Sequence, residues 1–183
     1  MVISTSAAFA AAVAGHRFAD VALEPAALEE AMESIQDSGL LFVGESHGVR
    51  ENPDVLYALA VELRAQAIAL EWSYEEMQKP LDDFLATGSF DFDALWSLPP
   101  TAEFFCGDGR ITAGHFALLE RLRREGRLEQ VIAADRLDPE PPPVDWQVRD
   151  RELAQRLLAE WDARLPLLVL VAGSTPGSTR RTV

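Results

Sequence analysis

Four short apolar runs, none of them alternating with polar residues, limit how this chain can fold: Leu40-Leu41-Phe42-Val43, Ala67-Ile68-Ala69-Leu70, Val131-Ile132-Ala133-Ala134 and Leu167 to Val171. A strand with one wet face alternates apolar and polar side chains, whereas a continuous run of this length reads as a strand covered on both faces. Helical periodicity fills the intervals. Asn52 is placed to cap a helix with Pro53 in its first turn, and Leu56, Leu59 and Leu63 follow on one stripe. Thr112 is placed to cap a second helix carrying Phe116, Leu119 and Leu122, with Gly126 as its stop. Leu153, Leu157 and Trp161 mark a third stripe, and Leu28, Met32 and Ile35 mark one ahead of the first strand. Strands alternating with helices make βα units. The expected fold is therefore α/β, a three-layer domain with a mainly parallel sheet of at least four strands flanked by helices.

The region from Ser73 to Asp108 breaks this rhythm, and its Trp, Phe, Pro and Gly content predicts short helices and loops lying over the sheet. The stretch DPEPPPVDW reads as a rigid surface connection. Residues 1–173 are expected to form a single domain, the natural size for a chain of 183 residues. Residues 174–183 carry almost nothing apolar to offset the entropy of ordering, and are expected to be a disordered tail.

A net charge of −14 argues against binding a phosphate backbone or an anionic membrane surface, both of which need clustered Lys and Arg. No apolar run approaches the ~20 residues of a membrane span. The Ala-rich opening VISTSAAFAAAVAG lacks the positive start of an export signal and reads as a helix. A lone cysteine, Cys106, excludes an internal disulfide and fits a reducing compartment; following two Phe residues, it reads as buried and apolar. These features predict a cytoplasmic protein with a small-molecule substrate or ligand and no nucleic-acid or membrane partner. They leave its oligomeric state open.

In parallel sheets, ligands bind beyond the carboxyl ends of the strands. Here three strands end on acids: Val43-Gly44-Glu45, Ala69-Leu70-Glu71 and Ala134-Asp135. Such acids can serve merely as helix caps. Three of them with His47 in Gly44-Glu45-Ser46-His47-Gly48 make a rim suited to general acid-base work, since crowded carboxylates raise one another's pKa and an imidazole titrates near neutrality. Glu45, His47, Glu71 and Asp135 are thus the catalytic candidates, with Arg50 and Glu51 as substrate contacts. The reading requires no cofactor, although one His with two or three carboxylates also suits a divalent metal. Gly107-Asp108-Gly109-Arg110 reads as a plain turn, His115 as packed or exposed in a first helical turn, and Arg149-Asp150-Arg151 as a helix start with Asp150 on the dipole. No dinucleotide fingerprint or P-loop is present.

These residues resemble the erythromycin-esterase-like and ChaN-like superfamily, which includes the TIKI and TraB proteins. The resemblance rests on Gly44 to Gly48 followed by Glu51, on Glu71, on Asp135, and on Arg149-Asp150-Arg151-Glu152-Leu153-Ala154, and runs from about Leu40 to Gly173. It implies an α/β fold with a Glu and His rim. Esterase members use that rim to activate water against a macrolide lactone without a metal; ChaN-like members bind haem; TIKI members are metal-dependent proteases. A haem-binding counterpart here would take its axial ligand from Tyr57, Tyr74 or His115. Two departures stand out. One residue separates Glu45 from His47, as in the ChaN-like form, where esterases have two. Val171-Ala172-Gly173 runs into Ser174-Thr175-Pro176, where the family usually has Ala-Gly-Asn-x-His. A truncated paralogue without activity is the reading that second departure adds.

Overall fold

The computed structural model describes residues 5–105, 107–136 and 146–172. Four strands, β1 (Leu40–Glu45), β2 (Ala67–Ser73), β3 (Gln130–Asp135) and β4 (Leu167–Ala172), form one sheet in the order β1-β4-β2-β3. Every pairing in it is parallel. Seven α-helices stand among the described residues: α1 (Ser6–Gly15) and α2 (Pro25–Ser38) ahead of β1, α3 (Asn52–Glu62) after it, α4 (Tyr74–Thr87), α5 (Phe92–Trp96) and α6 (Ala113–Arg124) between β2 and β3, and α7 (Trp146–Glu160) before β4. The fold is α/β with helices on both sides of the sheet, as the apolar runs predict.

Two cores show the layering. On one face Ile68, Leu70, Trp72, Val131, Ala133, Leu168 and Leu170 meet side chains of α1, α3, α4 and α6. On the other, Ala67, Ala69, Ile132, Ala134, Leu167 and Val169 meet Leu157 of α7. The continuous runs of β2 and β3 follow from this double burial. β1 differs: Phe42, in register with Val169, is 54% exposed, and Leu40, Leu41 and Val43 are only half-buried. The outer edge of β3 is closed by side chains. Gln78 of α4 accepts from Ala133 N–H at 2.8 Å and donates to the Val131 carbonyl at 3.1 Å, completing the ladder as a peptide would.

The region after β2 departs from its sequence reading. α4 is a helix of 14 residues rather than a short one, while α5 and a 3₁₀ turn over Glu103–Phe105 are brief as expected. Aromatic rings fix this region to the sheet: Phe9 of α1 sits 5.3 to 5.5 Å, centroid to centroid, from Phe92, Trp96, Phe104 and Phe116. In α2 Leu28 and Ile35 pack against the core as expected, but Ala31 is the buried residue and Met32 is exposed. α7 begins at Trp146, so Asp150 lies beyond its first turn and does not act on the helix end. Cys106, most of the Pro-rich connection and residues 173–183 lie outside the described residues. No helix among the described residues is long and apolar enough to cross a membrane.

Candidate functional site

Because all four strands run the same way, Glu45, Glu71 and Asp135 arrive at one rim, each buried to 7% exposure or less. Glu45 is the last residue of β1. Glu71 owes its position to an irregularity: Leu70 pairs with Ala133, but Ser73 pairs with Asp135, so β2 carries one extra residue there. Such a bulge releases the side chains beside it from strict alternation. His47 follows β1 by two residues, in a turn closed by Gly48 at φ +78°.

His47 meets carboxylates on both ring nitrogens. Its Nε2 lies 3.6 Å from Glu45 Oε1 and 3.9 Å from Glu71 Oε2, and its Nδ1 lies 3.8 Å from Asp108 Oδ2. Asp108 Oδ2 accepts from Arg110 Nε at 2.7 Å. Arg110 Nη1 lies 3.9 Å from Asp135 Oδ2. Arg149 donates to both Asp135 and Glu71, and Glu71 returns to His47. The result is a closed ring in which carboxylates alternate with the two arginines and the imidazole, running His47, Asp108, Arg110, Asp135, Arg149, Glu71. Burial opposes the charge on Arg149, but hydrogen bonds and attraction from Asp135 and Glu71 outweigh it and raise its pKa above the ordinary arginine value.

Glu45 stands beside this ring with its own supports. Asn52 Nδ2 donates to Glu45 Oε2 at 3.3 Å and to the Ser46 carbonyl at 2.9 Å. This corrects the expectation that Asn52 caps α3: Glu51 holds the cap position without a side-chain bond, and the Asn52 amide turns back to the rim. His115 Nε2 lies 3.4 Å from the same Oε2. The Nε2 atoms of His47 and His115 are both buried and lack a hydrogen-bond partner within the protein.

Two glycines bring the loops together. Gly109 has φ +91°, and a Cβ there would lie 2.3 Å from both Gly48 N and Cα. Gly48 N–H donates to the Gly109 carbonyl at 3.3 Å, and Trp72 Nε1 donates to the Arg110 carbonyl at 2.9 Å. The segment Gly107 to Arg110 is therefore part of the site rather than a plain turn.

The structure brings Glu45, His47, Glu71 and Asp135 together. Arg50 and Glu51 are exposed on the loop that follows, and neither forms an ion pair with the ring among the described residues. Asp108, Arg110, His115 and Arg149 join the site without having been singled out for it. The signals present were the glycines flanking Asp108, the Thr112 to His115 spacing, and the charged block Arg149-Asp150-Arg151-Glu152. Asp135 and Arg149 also line a cavity of about 360 Å³ with Tyr74, Arg136, Glu152 and Arg156. Of the haem-ligand candidates, Tyr57 donates its hydroxyl to Glu125, Tyr74 lies under the Arg156 guanidinium, and His115 faces Glu45. No group of three or more His, Cys, Asp or Glu among the described residues is arranged to hold a metal ion.

No family model and no curated protein matches the chain. Among solved structures, its fold is similar to that of RRSP, a MARTX toxin effector domain from Vibrio vulnificus CMCP6. The match has a TM-score of 0.57 at 18% identity and covers 79% of this chain, which spans 29% of that one. The likeness is one of fold.

Proposed function

We propose that the protein is a hydrolase of the esterase type, in which His47 draws a proton from water held against Glu45 and Glu71. One observation carries this reading. A buried imidazole nitrogen faces two carboxylates at 3.6 and 3.9 Å without a direct hydrogen bond to either. Polar groups separated by that much are commonly bridged by water. A water there would donate one proton to Nε2 and the other to a carboxylate, leaving its lone pairs free to attack.

In the reaction, the water proton moves to His47 Nε2 as its oxygen bonds to the ester carbonyl carbon. Glu45, Glu71 and Asp108 surround the imidazolium and favour its charge. When the tetrahedral intermediate collapses, the acyl C–O bond breaks and His47 returns the proton to the leaving alkoxide. Arg149, locked to Asp135 and Glu71, keeps Glu71 in place. Arg50 and Glu51 meet the outer part of the substrate. The scheme asks for no cofactor and takes a small-molecule ester as substrate, and the lone cysteine supports a cytoplasmic protein. The resemblance of Gly44 to Gly48 to the erythromycin-esterase-like and ChaN-like superfamily supports the same chemistry.

The test is turnover of a panel of chromogenic carboxylic esters. General-base catalysis contributes ~10²–10⁴-fold, so His47→Ala should lower kcat by about that factor. A His47→Ala protein as active as the parent overturns the mechanism.

A further inference from the structure

His115 is 2% exposed and cannot reach a substrate, yet its ring is aimed at the rim. Thr112, the N-cap of α6, accepts from His115 N–H through Oγ1. The same Oγ1 lies 3.0 Å from His115 Nδ1. A hydroxyl oxygen already accepting from a backbone amide has its own proton to give, and Nδ1 lies within its reach. With the Thr112 proton given to Nδ1, a neutral ring carries its own proton on Nε2. That nitrogen is buried, has no hydrogen-bond partner within the protein and lies 3.4 Å from Glu45 Oε2. Trp72 stands edge-on to the ring at 6.2 Å and limits its rotation. Asn52 gives its amide proton to the same carboxylate oxygen.

We propose that His115 is a positioning residue for Glu45. It pins Oε2 jointly with Asn52, so that Oε1 is the oxygen turned toward His47 and the water. Asn52 opens α3 and His115 lies in the first turn of α6, so both side chains are held by the start of a helix. This rests on the hydrolase reading for its consequence, but not for its geometry.

Two measurements test it. Long-range ¹H–¹⁵N spectra of the full chain labelled at imidazole nitrogen should show His115 protonated on Nε2, with that resonance displaced in Glu45→Gln. On an ester the parent hydrolyses, His115→Leu should lower kcat about tenfold, the rate equivalent of one charge-assisted hydrogen bond, with KM changed less. His115→Gln, which keeps a donor near the Nε2 position, should recover most of the loss. A His115 protonated on Nδ1, or one blind to Glu45→Gln, overturns the proposal, as does a folded His115→Leu protein with full kcat. Should His115→Leu fail to fold, the spectra of the parent and of Glu45→Gln decide alone. Spectra as expected with no ester turned over would sink the hydrolase reading and leave the pairing standing.

Discussion

Arg149 and Asp108 belong to one ring of charges but depend on it in opposite ways. Arg149 stands between two carboxylates that are 5% and 2% exposed. Replacing it by Met would leave Glu71 and Asp135 buried and facing each other, and removing one partner of a buried ion pair typically costs ~3–5 kcal/mol. The expected result is a fall in the thermal midpoint of roughly 10 °C or more, read by calorimetry. Asp108 is 37% exposed, so Asp108→Asn should change stability by no more than ~1 kcal/mol. Turnover should suffer instead, since His47 Nδ1 loses the carboxylate that orients it, and a drop of about tenfold is expected. Full turnover in folded Asp108→Asn would show that Asp108 does not hold the imidazole.

Among the elements, the strands were readable because burial on both faces leaves an unbroken apolar run, and an acid that ends such a run stands at the rim by the geometry of parallel pairing. Glu45 and Asp135 needed no further information, whereas Glu71 stands two residues before the end of β2 and reaches the rim through a bulge that no sequence pattern announces. Asp108, His115 and Arg149 reach the same place through loops and helices whose docking no local pattern encodes. Gly-Asp-Gly reads as a turn wherever it occurs, and only the contact with Gly48 makes it part of the site. β1 misled in a different way: Phe42 is apolar like its neighbours and shares the face of Val169, yet on this outer strand it is 54% exposed. The crossing of Gly48 and Gly109 yields a direct prediction. In Gly109→Ala a methyl group would meet backbone atoms at 2.3 Å, with φ at +91°. Strain of this kind costs about 1–3 kcal/mol before the loops separate. Denaturant unfolding should register at least that loss, and ester turnover should fall with it as Asp108 and Arg110 leave His47. A neutral Gly109→Ala would mean that the two loops do not meet as described.

For the molecule as a whole, the strand order sets when the site can exist. β1 and β2 carry Glu45 and Glu71, yet they do not touch, because β4 lies between them and pairs with both. During translation the strand that joins them is the last of the four to be made. At ~5–20 residues per second, the interval between Glu45 and the end of β4 is on the order of ten seconds. Over that time a nascent chain has its carboxylates but no frame to hold them together, and the apolar edges of β1 and β2 remain open to other partners. A chain stopped at Pro166 should therefore stay sensitive to protease around β1 and show no ester turnover, whereas release of the complete chain should bring resistance and turnover in one step. Protection of β1 in the shortened chain would mean that the first strand finds its place without the last.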